Sequence, residues 1–281
     1  MFKDADRPTI AAHTFIFALA SALVCSLAIT QAEAAPQTVA RDPQALTLIA
    51  SSLKALTGGV AVNDVIVQAT ASYVAGSDEE TGTATLTANN KQGSLIQLNL
   101  SGGARQDVRN GLLGAWSGPD GATHCTPTYN CRTDATWFFP ALTLETIFAD
   151  PTVAVTYLGP DTSKGAALIH VRVARPQSAG SASAPAEILR VSTMDIYFDP
   201  QSFLPLVLDF NVHADKNPNT DIPVEIRFGS FQSASGVLAP MHIQKLLQRT
   251  LTLDLTVTSV VLNSGVPDSE FALACAPGGQ L

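Results

Sequence analysis

Residues 194–213 read Met194-Asp-Ile-Tyr-Phe-Asp-Pro-Gln-Ser-Phe-Leu-Pro-Leu-Val-Leu-Asp-Phe-Asn-Val-His213. Met194, Ile196 and Phe198 alternate with Asp195 and Tyr197. Leu204, Leu206, Leu208, Phe210 and Val212 then alternate with Asp209, Asn211 and His213. A period of two marks a strand with one buried and one wetter face. Asp199-Pro200-Gln201-Ser202 between the runs is turn chemistry. So short a connection suits antiparallel neighbours, because parallel ones need a long crossover.

Working outward, the same period recurs over 65–73, 81–88, 96–101, 167–173, 222–228 and 251–257. One helix precedes the strands. Asp42-Pro43 has the form of an N-cap followed by N1, and Leu46, Ile49, Ala50, Leu53 and Leu56 follow at helical spacing. Lys54 falls in the last turn, and Gly58-Gly59 end the helix. Phe138 to Phe148 predicts a short second helix with Pro140 in its first turn. The expected class is α+β. One long, curved antiparallel sheet forms a half-barrel, with the N-terminal helix and the short second helix on its concave face. A sheet this long curls, and helices, side chains or a ligand must fill its concavity. Gln177 to Pro185 is rich in Ser, Ala, Gly and Pro and reads as a loop inserted between two strands.

The chain has 281 residues, a formal net charge of −8 and only 14% charged residues. Its mean hydropathy is +0.20. The acidic balance argues against nucleic acid and against a polybasic membrane patch. The apolar content argues against disorder. Lys3 and Arg7 precede an apolar run from Ile10 to about Ile29, and Ala32-Glu33-Ala34 follows. This is the order of a secretory signal cleaved after Ala34. An uncleaved anchor is the simpler alternative, since the run approaches the length of a membrane span. Residues 1–34 are read as the signal and 35–281 as one domain, exported to the periplasm, with no stable membrane span after cleavage.

Cys25 lies within the signal, which leaves three cysteines. Cys125 and Cys131 bracket a short loop with Pro127 and Asn130, and in an oxidising compartment their pairing is expected. A metal site recruiting His124 would lack a fourth ligand. Cys275 is left over as a free or intermolecular thiol.

A second set of stretches follows the hairpin. Asp195 to Pro205 precedes Ile226-Arg-Phe-Gly-Ser-Phe231, Gly236-Val-Leu-Ala-Pro240, Val260-Val-Leu-Asn263 and Pro267-Asp-Ser-Glu-Phe271. In this order they resemble the LolA-like superfamily of periplasmic proteins, which includes lipoprotein carriers and lipoprotein-sorting-type domains. The resemblance is clearest over 165–273 and weaker over 42–75. It implies a half-barrel closed by helices around an apolar cavity. Members that carry lipoproteins bind acyl chains in that cavity, and others sense misfolded or mislocalised lipoproteins. The quoted motifs are turn chemistry and mark a fold rather than a reaction. Pro200 and Pro205 shape a hairpin, Gly236 permits a tight turn and Phe271 plugs the core. This chain is longer than a dedicated carrier and adds the 125–131 loop and the 177–185 insertion. No gating residue of a carrier is matched to a position here.

Reactive motifs are scarce. No nucleophile elbow, zinc-protease helix, phosphate-binding loop or dinucleotide fingerprint occurs. His124, His170, His213 and His242 are dispersed, and His170 and His213 fall on polar phases as surface residues. Asp78, Glu79 and Glu80 read as a solvated hairpin tip. No catalytic residue, metal or cofactor is expected. Segment 112–148 holds both tryptophans and several phenylalanines. These either cap the sheet core or form a lid over a cavity. The candidate ligand-binding residues are Trp116, Trp137, Phe138, Phe139, Phe148, Leu206, Leu208 and Phe210. The leading function is a binding protein for an apolar small molecule, a lipid or lipoprotein acyl chains. A scaffold or sensor that binds another envelope protein comes second, and a secreted hydrolase with a dispersed triad third.

Overall fold

The computed structural model describes residues 39–175, 186–273 and 275. The expected signal at 1–34 and the loop at 177–185 lie outside the described residues.

Helix α1 spans Pro43–Thr57. Asp42 Oδ1 accepts the Gln44 N–H at 2.8 Å, and Gly58 ends the helix at φ 57° with its N–H on the Lys54 carbonyl. The expected cap and stop are present; of the expected stripe Ile49 and Leu56 are buried, Leu46, Ala50 and Leu53 are half-buried, and the buried face turns toward Ala45, Leu48 and Ser52. Six strands then run outward as successive hairpins: β1 Asp64–Ala75, β2 Asp78–Asn89, β3 Gly93–Leu100, β4 Gly103–Asn110, β5 Leu113–Ser117 and β6 Thr123–Cys125. Helix α2 follows at Pro140–Ala149. A second meander comprises β7 Ala154–Asp161, β8 Leu168–Ala174, α3 Ala186–Ser192, β9 Met194–Phe198, β10 Pro205–Ala214, β11 Asn217–Ala234, β12 Val237–Leu247 and β13 Thr250–Leu262.

The second meander returns to the first, and β13 pairs with β1. Among the described residues the result is a single open sheet of 13 antiparallel strands with β6 and β7 at its edges. α1 packs on β7, β12 and α2. This is the α+β half-barrel that the alternation and the resemblance predict.

The connection from β6 to β7 must travel from one edge of the sheet to the other. It does so as buried chain: residues 129–144 are buried without interruption. Its polar groups therefore need partners. Asp134 accepts from the backbone N–H and hydroxyl of Thr136 at 2.8 and 2.6 Å and pairs with Arg175 at 3.0 Å. The Tyr129 hydroxyl donates to the Ala214 carbonyl at 2.8 Å.

Three expectations are corrected. The first concerns the disulfide: Cys125 is bonded to Cys275, with Cα atoms 5.7 Å apart, and Cys131 is free and buried. The reason is topological. Cys125 pairs with Ala115 and so shares its side of the sheet, where Cys275 packs beside Phe271 and Ala115. Cys131 approaches Gly114, the next position on β5, whose side faces the other way. The two cysteines of the short loop lie on opposite faces.

The second concerns Leu206. Pairing between β9 and β10 slips between Pro205 and Val207, so Leu206 falls in a bulge. It packs with Leu168, Tyr197 and Val207 and not with Leu208 and Phe210. The third concerns Phe271. It is buried, but in a small cluster with Leu95, Val108 and Ala115 on the outer face, apart from the main core.

Candidate functional site

Directly opposed residues of an antiparallel sheet share a face. The register therefore gives one continuous row: Leu208, Ile226, Lys245, Leu253, Tyr73 and Glu80. Leu208, Ile226 and Leu253 join Ile49, Leu56, Leu142 and Ile147 of the helices in one core cluster, so this is the inner face. The row begins apolar and ends charged.

Its charged end is built by β2, β4 and β12. The guanidinium of Arg105 binds both oxygens of Glu80, at 2.5 and 2.8 Å, and lies over the Tyr73 ring at 4.8 Å. Glu80 is thus not a solvated tip residue, although Asp78 does open the strand beside the turn. Arg109 donates to the Asn130 carbonyl at 2.5 Å and to Asp107 at 3.3 Å. Lys245 places Nζ 5.1 Å from the centroid of the Trp137 ring. Burial pulls the Lys245 pKa below the ordinary lysine value, Asp107 acts against that shift, and Arg109 adds to it. Burial also pushes the Cys131 thiol up, against the pull of Arg109, so it is held as the thiol.

The structure gathers five of the eight expected ligand residues into the inner core: Trp137, Phe138, Phe139, Leu208 and Phe210. Trp137 is 8% exposed and meets Phe138 edge to face, and Phe138 and Phe139 are fully buried. The other three are elsewhere. Trp116 is 39% exposed and stacks on His124 at 4.3 Å. Phe148 is 43% exposed near the end of α2, and Leu206 sits on the outer cluster.

Lys245, Arg105 and Arg109 were not foreseen. For Lys245 a signal existed: Val237, Ala239, Met241, Ile243 and Leu247 share its phase, and a lysine interrupts that apolar ladder. For β4 there was none, because Arg105, Asp107 and Arg109 occupy the inner phase and remove the apolar alternation.

The outer face holds a second cluster. Arg172, Asp195, Asp209 and Glu225 stand opposite one another on four adjacent strands. Three neighbouring carboxylates would repel. Arg172 binds both oxygens of Asp195 at 2.8 and 3.0 Å. Lys164 bridges Asp209 and Glu225 at 2.5 and 2.7 Å, and Arg227 adds a contact to Glu225 at 2.6 Å. Burial raises the Asp209 pKa, although Lys164 opposes it. Lys164, Arg172, Asp195, Asp209 and Glu225 line an open groove of about 760 Å³.

The expected surface placement of His170 and His213 is also corrected, since both are buried. His170 stacks on Tyr197 at 4.4 Å and bonds Asp195 at 2.8 Å. His213 is enclosed by Tyr129 and Asn130. His170, His213 and His242 each contact an aspartate, but no serine hydroxyl among the described residues hydrogen-bonds to a histidine. The described residues contain no cluster of three or more His, Cys, Asp or Glu side chains fit to hold a metal.

No family model matches the chain, and no curated protein matches it. Among solved structures it is similar to a LolA superfamily protein from Nitrosomonas europaea, at 10% identity over 82% of this chain and 97% of that one, with a TM-score of 0.48. It is also similar to a DUF1329 family protein from Desulfovibrio piger, at 8% identity over 82% of this chain and 96% of that one, with a TM-score of 0.49. The open antiparallel sheet with its helices has the form that the sequence resemblance implies.

Proposed function

We propose that this chain is an envelope binding protein for an apolar ligand, a lipid or the acyl chains of a lipoprotein, and acts as its carrier or chaperone. It is exported by a signal within residues 1–34 and works in the periplasm. No helix among the described residues is long and apolar enough to cross a membrane. The observation that carries this function is the inner row, which runs from buried Leu208 and Ile226 through Lys245, whose Nζ faces the Trp137 ring, and Leu253 to Tyr73 and Glu80. An apolar face with a polar end is complementary to an amphiphile. Each methylene moved from water is worth about 0.8 kcal/mol. A chain of a dozen carbons gains roughly 10 kcal/mol on that scale, enough to offset association costs of about 4–15 kcal/mol in part or whole. Binding of this kind is physical and needs no catalytic group.

The second function, a scaffold that contacts another envelope protein, is favoured by the large apolar side chains left exposed at Phe148 and Leu158. Native and denaturing mass spectra of the protein purified from its own periplasm separate the two. A discrete excess mass that is lost on denaturation and matches an extracted lipid supports the carrier. A clean apo mass with no uptake of a neutral apolar dye refutes it and favours the scaffold.

A further inference from the structure

Lys245 is the odd member of the inner face. Ile226 and Leu253 flank it in register, and its own strand offers Ile243 and Leu247 on the same side. The neighbouring cations of this face have carboxylates, Arg105 on Glu80 and Arg109 on Asp107. Lys245 forms no ion pair among the described residues, and its described contact is the face of Trp137. A cation removed from water is costly unless a counter-charge meets it. An aromatic ring face compensates part of that cost. Burial lowers the pKa of the ammonium, and Asp107, already paired with Arg109, opposes that shift without bonding Lys245.

We infer that the ligand is an amphiphile with an anionic headgroup, a carboxylate or a phosphate, and that Lys245 holds this headgroup while the chain lies along the apolar row toward Ile226 and Leu208. This rests on the carrier function proposed above and names the chemistry of its cargo. An arriving anion makes a charge-assisted hydrogen bond with Nζ and supplies the missing counter-charge in a site of low dielectric. A neutral head of the same chain length gains only the burial of its methylenes. The apolar surface thus provides affinity, and Lys245 provides the choice between heads.

The test uses the mature protein loaded with the neutral dye N-phenylnaphthylamine, displaced by oleate, by oleoyl lysophosphatidate and by oleyl alcohol. At least one anion should displace the dye at a concentration tenfold or more below that of the alcohol, and the tighter anion identifies the head. In Lys245→Met the anion-to-alcohol ratio should fall below about threefold, and in Lys245→Arg it should be kept. A folded Lys245→Met, checked by circular dichroism and its melting curve, that keeps the full ratio overturns the assignment. Equal displacement by anions and alcohol in the parent protein overturns the anionic head while leaving the carrier function standing. Failure of all three ligands to displace the dye, or of the dye to bind, overturns both.

Discussion

The side chain of Asn130 binds the backbone of His213 in both directions. Its Nδ2 donates to the His213 carbonyl at 2.8 Å, and its Oδ1 accepts the His213 N–H at 2.8 Å. His213 lies beyond Phe210, the last residue of β10 that pairs with β9. The carboxamide thus stands in for a missing strand neighbour and ties the crossing connection to the sheet. Both groups are buried, so their loss leaves a donor and an acceptor unpaired. Asn130→Ala should lower the unfolding free energy by about 3 kcal/mol. Urea unfolding measures it, and a change under about 0.5 kcal/mol would show that the bond is replaced by water.

His213 itself makes stability depend on pH. Burial holds its pKa below the ordinary value near 6.5, Asp221 opposes that shift, and Arg190 adds to it. The folded pKa is therefore lower than the unfolded one. Between the two values the unfolded chain binds more protons, so stability rises with pH. The contribution is complete above about pH 6.5 and is lost as the pH falls through that value toward the folded one. Unfolding free energies at pH 5.5 and 7.5 should differ less in His213→Gln than in the parent. An identical difference in both proteins rules this residue out as the source.

The disulfide closes a span of 150 residues between Cys125 and Cys275. Restraining so long a loop contributes on the order of 4 kcal/mol. Replacing both cysteines by serine should cost that much at the urea midpoint. Peptide mapping under non-reducing conditions should recover the 125–275 pair, with Cys131 alkylated only after denaturation. Recovery of a 125–131 link would contradict the assignment.

The C-terminal segment carries a packing anchor. A β-carbon on Gly93 would come 2.5 Å from the ring of Phe271, so the bare glycine makes room for that side chain. Phe271→Ala should destabilise by about 3–4 kcal/mol through the cavity it leaves. Gly93→Ala should do so by displacing the ring. Melting temperatures of the two variants that equal the parent's would show the segment to be dispensable.

Trp137→Ala should weaken dye binding several-fold more than Thr83→Ala, which alters an exposed outer position. It removes an indole from the inner core and the surface beneath Lys245. Equal dye affinities in the two variants would remove Trp137 from the ligand site.

Local chemistry made much of this fold legible. Asp42, Pro43 and Gly58 mark the ends of α1 because cap and αL demands act within a few residues. Alternation around Asp199 predicts the β9–β10 hairpin for the same reason, and Asp199 Oδ1 does accept from the backbone of Gln201 and Ser202. Strands with charges in their inner phase, such as β4, carry no apolar alternation and so leave no local mark of a buried face.

By itself the sequence determined α1, α2, the eight strands that carry apolar alternation and the antiparallel class, because each rests on contacts between near neighbours in the chain. Only the tertiary structure decided which distant strands meet. The pairing of β1 with β13, the row that sets Lys245 among Ile226 and Leu253, and the choice of Cys275 over Cys131 all depend on register and on which face a side chain takes. A single bulge such as that at Leu206 reverses a face without changing the local pattern. Such pairings are set by the free energy of the whole sheet, and no short window of residues contains it.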